Sequence, residues 1–198
     1  AGEDALRGWR YQCAGDYLGS PWLPCVSEDS LEQLAGQAKS PGNPPLHLWH
    51  PELSGDIDIL IKRDGSWWHE GDPILREPLV RLFASILRRE QDGEYYLVTP
   101  VEKWRLRVEC LPLLVVDFEE RDSAMWLTLN TGRDVAVDDQ HPLFMPDHPL
   151  AEGVPAVQLD NGLAALFSRP AWYRLAELCE ETDTGLLLRA GETAYMLG

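Results

Sequence analysis

Basic side chains are scarce in this chain of 198 residues: 17 Lys and Arg stand against 33 Asp and Glu, a formal net charge of -16. Binding of duplex nucleic acid or an anionic membrane by counterion release needs a basic surface, so neither partner is expected here. Long hydrophobic runs are missing too. The most apolar stretch, Leu111 to Val116, is interrupted by Pro112 and falls far short of the roughly 18 residues a membrane-spanning helix requires. The N-terminus shows no basic segment followed by an apolar one, so no secretory signal is expected. Cysteine is sparse: Cys13, Cys25, Cys110 and Cys179 contain no Cys-x-x-Cys pair, which predicts reduced thiols in a cytoplasmic protein rather than a disulfide framework. Absent as well are a Gly-x-Ser-x-Gly elbow, a phosphate-binding Walker loop and a dinucleotide glycine fingerprint, which disfavours the enzymes built on them. What remains, 44% hydrophobic and 25% charged residues, is the composition of a folded globular chain.

Residues 1–28 are broken by Gly2, Gly8, Gly15, Gly19, Pro21 and Pro24 and read as an irregular leader. Asp29 and Glu32 open a short expected helix through Ala38, ended by the Ser40 to Pro45 linker. Strand-like alternation follows. Ile57, Ile59 and Ile61 alternate with Asp56, Asp58 and Leu60, and Asp64-Gly65 turns the chain into Trp67-Trp68, a β-hairpin pattern. Adjacent tryptophans on a strand must face opposite sides. Pro78 suits the first turn of a helix over about 77–90, whose stripe is Leu79, Leu82, Phe83, Ile86 and Leu87. Strands are expected at Glu94 to Val98 and Trp104 to Glu109, a hairpin at Leu113 to Glu119 with Met125 to Asn130, and a strand at Ala156 to Leu159.

The pattern Arg-x-x-Φ-Φ-Arg-Leu, with Φ a large apolar residue, occurs at Arg76 to Leu82 and again at Arg169 to Leu175. Each copy follows a strand and a turn (Asp64-Gly65, Asn161-Gly162) and opens a helix that leads into a hairpin, so an internal duplication is expected. The fold class read from this is α+β: two related lobes, each a small, mostly antiparallel sheet with a packed helix. The expected divisions are an irregular leader, helix and linker over 1–45, a first lobe over 46–112 and a second over 113–198.

Charge is unevenly placed. Residues 62–107 hold nine basic and eight acidic side chains, a balance of +1, leaving -17 on the rest. Lys103, Arg105 and Arg107 share one strand face by their period of two. They suit either an anionic ligand or acids across the sheet. The other constellations are weaker. His47-x-x-His50 with Asp56 and Asp58 has poor metal-ligand spacing in an extended, Pro-bounded segment, and His69-Glu70 lacks the second histidine of a zinc-protease helix, so no metal and no cofactor are expected. As imidazoles, His69 and His141 are candidate general bases.

The run His47-Leu-Trp-His-Pro51, the segment GDIDILIKRDGSWWHEGDPILREPLVRLFASILRRE and the segment YYLVTPVEKWRLRVE resemble the bacterial family of unknown function DUF1285. The likeness continues less densely through VVDFEE, His141-Pro142-Leu143 and GLAALFSRPAWYRLAEL, over about residues 30–198. It implies a duplicated α+β core, a C-terminal half superficially similar to pleckstrin-homology folds, and a ligand site between the lobes for a small anionic, nucleotide-like molecule in a signalling role. Residues 1–28 lie outside the family pattern, and His50 stands where the family more often has Asn.

The expectation is thus a non-catalytic binding module whose inter-lobe cleft, rimmed by the TPVEK strand entry and the first hairpin, holds that ligand through Trp67, His69, Arg76, Thr99, Glu102, Lys103 and Arg105. Two alternatives stand beside it: a small hydrolase using His69 or His141 as general base, and a protein-interaction scaffold without ligand.

Overall fold

The computed structural model of the protein describes residues 44–197 apart from positions 123, 184, 191 and 192; the leader and the helix expected over 29–38 lie outside the described residues. Where alternation led, the strands follow. In β1 (Leu53–Ile61) the side chains of Ile57, Ile59 and Ile61 are almost wholly buried, while Asp56 and Asp58 face outward. The chain reverses at Asp64-Gly65 into β2 (Trp67–His69), with Ile61 opposite Trp67 and Ile59 opposite His69. Trp67 enters the core and stacks on Phe83 at 6.2 Å between ring centres. Trp68 takes the other face, its ring covered by Lys62 Nζ at 3.5 Å from the centre.

After β3 (Asp72–Pro73) comes α1 (Glu77–Ser85), with Pro78 in its first turn and Phe83 fully buried. This helix is shorter than its apolar stripe suggested. Ser85 Oγ donates to the Leu82 carbonyl, and Leu87, Arg88 and Arg89 form strand β4 (Leu87–Arg89), paired with Leu97, Tyr96 and Tyr95. Ile86 and Leu87 still reach the core, so burial at helical spacing was right and the backbone carrying it was not. Strands β5 (Tyr95–Val98) and β6 (Lys103–Val108) complete a six-stranded sheet in the order β3-β2-β1-β6-β5-β4.

The second sheet holds β7 (Leu113–Arg121), β8 (Ala124–Leu129), β9 (Asp134–Ala136), β10 (Leu143–Phe144), β11 (Ala156–Gln158) and β12 (Ala164–Phe167), ordered β10-β11-β12-β7-β8-β9. Helix α2 (Arg169–Ala176), capped by Ser168, then leads to a three-stranded sheet of β13 (Glu180–Thr182), β14 (Gly185–Ala190) and β15 (Thr193–Leu197). The described strands therefore form five successive antiparallel three-stranded meanders. The first two join through the parallel pair β1 and β6, the next two through the parallel pair β7 and β12, and the fifth stands alone. The architecture is α+β, built of mixed sheets with two α-helices among the described residues.

One hydrophobic cluster runs from Ile57, Trp67 and Phe83 through Val115, Leu127 and Phe167 to Leu188 and Leu197. The two large sheets meet through reciprocal turns. A Cβ placed on Gly65 would lie 2.9 Å from Leu114 Cδ1, and one on Gly162 would lie 2.9 Å from the Arg89 carbonyl oxygen. Both glycines have positive φ, so here the chain needs the one residue without a Cβ. The Arg63 guanidinium adds a hydrogen bond to the Leu150 carbonyl. No helix among the described residues is long and apolar enough to cross a membrane.

Candidate functional site

Of the seven residues expected to hold a ligand, Trp67, Thr99, Glu102, Lys103 and Arg105 are engaged in the core, a turn and cross-strand contacts. Trp67 is core. His69 sits on β2 opposite Ile59 and Asp72, and Arg76 is exposed at the start of α1. Thr99 is buried and builds the turn into β6: its hydroxyl accepts from the backbone N–H of Glu102 at 3.0 Å and of Val101 at 3.4 Å. Glu102 accepts from Trp104 Nε1 at 3.4 Å. Lys103 Nζ meets Glu90 at 3.0 Å and lies 4.8 Å from the Tyr96 ring centre. Arg105 forks onto Asp56 at 2.6 and 3.1 Å, and Arg107 meets Asp58 at 2.6 Å. The hydrogen bond from Arg105 holds the Asp56 carboxyl below the ordinary carboxylate range.

The strand face read as basic is therefore a ladder of cross-strand ion pairs. Parallel pairing of β1 with β6 puts Asp56 directly beside Arg105, and antiparallel pairing of β5 with β6 puts Tyr96 on its other side. Glu90 joins the ladder between Arg88 and Lys103. Burial pushes its carboxyl up, but bonds from both cations outweigh that and hold it low.

A cavity of about 160 Å³ does lie between the lobes, and none of the seven expected residues lines it. Its rim is not the TPVEK turn but α1 on one side and two turns of the second sheet on the other. Arg81 and Ser85 come from α1, Thr131 and Arg133 from the β8–β9 turn, Asp160 and Asn161 from the turn between β11 and β12. The floor is apolar, made by Leu87, Leu113, Leu129, Leu159 and Leu163, each no more than 6% exposed. Arg81 lies across the cleft over the second sheet, its guanidinium carbon 3.9 Å from where a Cβ on Gly132 would stand. It pairs with Glu77 at 3.2 Å, and Arg133 pairs with Asp160 at 2.7 Å; the side chains of both arginines are about half-exposed. The Arg133 hydrogen bond, against the opposing effect of burial, holds the Asp160 carboxyl below its usual range.

Behind this rim stands His141. Its Nδ1 meets Asp138 Oδ1 at 3.0 Å, so with a carboxylate as acceptor Nδ1 carries the proton. Its Nε2 is buried, 3.6 Å from Asp160 Oδ1, and has no hydrogen-bond partner among the described residues. No group of three or more His, Cys, Asp or Glu suited to a metal occurs among the described residues. Cys110 and Cys179 are free thiols.

Sequence reasoning missed the cleft residues because their signals were read for another purpose. Arg81 belongs to the repeat motif, Asn161 to a turn, and Thr131-Gly132-Arg133 carries only the turn signature of glycine beside polar residues. Each element is local, and the convergence of three of them is not.

Comparison with known proteins bears on residues 44–197. The model of the domain of unknown function DUF1285, N-terminal domain, matches residues 44–111, and that of the protein of unknown function DUF1285, C-terminal domain, matches residues 112–197. A crystal structure of a DUF1285 family protein from Silicibacter pomeroyi DSS-3 is 39% identical with a TM-score of 0.74, over 83% of this chain and 93% of that one. A DUF1285 family protein from Shewanella baltica OS155 is 31% identical with a TM-score of 0.51, over 60% of this chain and 90% of that one. No curated protein matches. The chain belongs to the DUF1285 family.

Proposed function

We propose that this DUF1285 protein is a non-catalytic binding module that takes a small anionic ligand, nucleotide-derived ligands among the classes to be screened, in the cleft between its two lobes, in a cytoplasmic signalling role. The observation that carries the reading is the pair Arg81 and Arg133, brought to one cavity mouth from different lobes. Each guanidinium makes a single ion pair among the described residues and keeps further N–H donors free to meet an anion. A ligand held by both would bridge the lobes, which is how occupancy could be transmitted to a partner.

The duplication reading belongs here as well. Its support is the strand order, identical in the two large sheets once each is counted from its first strand. The Arg-x-x-Φ-Φ-Arg-Leu helices do not share that equivalence: α1 joins the two meanders of one sheet, whereas α2 follows the last strand of the other. The pleckstrin-homology likeness of the second half rests on a β-rich unit packed beside one helix.

The hydrolase reading is favoured by one observation, the Asp138–His141 pair with its unpartnered Nε2. Against it, that nitrogen is buried and faces the Asp160 carboxylate at 3.6 Å. The experiment separates the readings. Thermal shifts of the full chain with a panel of small anions (phosphate, sulfate, simple carboxylates and nucleoside monophosphates) should rise with at least one of them and vanish for it in the double variant Arg81→Gln, Arg133→Gln. Removing one charge-assisted hydrogen bond should weaken binding by about 10- to 150-fold. Unchanged affinity in the double variant overturns the reading, and turnover of p-nitrophenyl phosphate lost in His141→Asn replaces it with the hydrolase.

A further inference from the structure

Resting on the reading of the cleft as an anion site, we infer that its ligand is a compact monocarboxylate of about five to seven carbons. Its hydrocarbon part enters the leucine-lined floor, and its carboxylate lies at the mouth between Arg81 and Arg133. Size is the first argument. Pockets for drug-sized ligands run to about 300 Å³ and more, so a cavity of about 160 Å³ leaves a whole nucleotide outside. An apolar cavity of about 150 Å³ takes a molecule the size of benzene.

The second argument is polarity. Leu87, Leu113, Leu129, Leu159 and Leu163 offer no hydrogen bond from their side chains, so a phosphate group pushed to the floor would be stripped of water without compensation. Nor does Ser85 rescue it, since its hydroxyl already donates to the Leu82 carbonyl. An alkyl or phenyl group loses nothing there.

The third is charge. Glu77 and Asp160 stand beside the two arginines, so the mouth is close to neutral before a ligand arrives. A dianion would meet both carboxylates at short range. A monoanion can share the guanidinium donors with them at a smaller cost, and a carboxylate matches the planar fork of arginine.

The test is isothermal titration of the full chain with the sodium salts of acetate, butyrate, pentanoate, hexanoate and octanoate, with benzoate, inorganic phosphate and adenosine monophosphate alongside. Affinity should rise about fourfold per methylene while each added carbon is buried, peak near hexanoate and fall by octanoate. Benzoate should bind within a few-fold of hexanoate, and both more tightly than phosphate. Leu129→Phe fills the floor and should flatten the chain-length series; Ala84→Leu tests the same from the helix side should the first variant fold poorly. Phosphate or the nucleotide binding more tightly than hexanoate, in a manner lost in Arg81→Gln, overturns the carboxylate and leaves the anion site standing. Carboxylate affinity with no chain-length dependence in the parent also overturns it. Absence of binding by every probe overturns both this inference and the reading it rests on.

Discussion

The outer face of the first sheet and the mouth of the inter-lobe cleft carry the same side chains, arginine opposed by a carboxylate, and differ in what adjoins them. On the sheet face Arg105 meets Asp56, its partner in the strand register, and Arg107, whose register partner is Leu60, reaches Asp58 across the same strand pair. At the cleft Arg133 meets Asp160 from a separate turn, and Arg81 meets Glu77 one helical turn away, with a void between the two pairs. A count of charge along the chain cannot tell these apart. The +1 balance of residues 62–107 counts Arg105 and Arg107, whose partners lie across a strand pair, together with Arg81 of the cleft, whose companion Arg133 stands 52 positions further along the chain. Free charge is a property of the assembled surface.

The largest test of the contrast is on Arg88, a largely buried cation of the ladder. Its side chain is 13% exposed, and its nitrogens donate to the Leu46 and Trp49 carbonyls at 3.0 and 2.9 Å and to Glu90. Arg88→Gln leaves two carbonyls and a half-buried carboxylate short of a donor and should cost about 2–4 kcal/mol in chemical denaturation. Arg105→Gln on the exposed part of the same ladder should shift the midpoint little. Equal losses would mean that the ladder acts as one unit rather than as a graded series.

A smaller effect probes how the lobes meet. Gly162 and Gly153 have similar positive φ, 71° and 68°, but a Cβ meets the Arg89 carbonyl at the first and nothing within 4 Å at the second. Gly153→Ala should therefore show conformational strain alone, and Gly162→Ala strain plus the clash, for about 1–3 kcal/mol in the latter. If both variants lose the same stability, the turn-to-strand contact contributes nothing to the joining of the lobes.

Much of the fold was legible in the sequence because its signals were short-ranged. The isoleucine alternation of β1, the Asp64-Gly65 turn and the opposed faces of Trp67 and Trp68 each depend on a few consecutive residues, and each appears as read. Helix α1 stopped early because Ile86 and Leu87 satisfy a helical stripe and a strand equally well, and only pairing with Tyr95 to Leu97 decides between them. The sequence motif and the shared strand order of the two large sheets lie in different registers. The motif aligns the first meander with the fourth, because a helix follows each, while the sheet order aligns the first with the third. Family resemblance likewise identified the chain without locating Arg81 and Arg133, since a cleft assembled from three elements leaves no contiguous motif.

The smallest expected effect lies in the acid limb of stability. Both regions contain a carboxylate held below its ordinary value: Asp160 by the hydrogen bond from Arg133 against opposing burial, and Glu90 by bonds from Arg88 and Lys103 that outweigh its burial. A carboxyl depressed in the folded state contributes stability that is complete above its unfolded value, 3.8 for Asp and 4.5 for Glu, and that is lost as pH falls through the folded value. Urea midpoints measured from pH 6 down to pH 3, roughly the interval that brackets these carboxyls, should therefore fall for the parent, less for Lys103→Gln and least differently from the parent for Arg133→Gln. The order follows from exposure: the Glu90 side chain is 25% exposed and that of Asp160 is 44%, so water screens the Arg133 pair more. The gap between parent and each variant should close as the pH drops, because protonation removes the same interaction that the substitution removes. A gap that stays constant down to pH 3 would mean that neither ion pair contributes to folding, and the cleft and the sheet face would then differ in geometry alone.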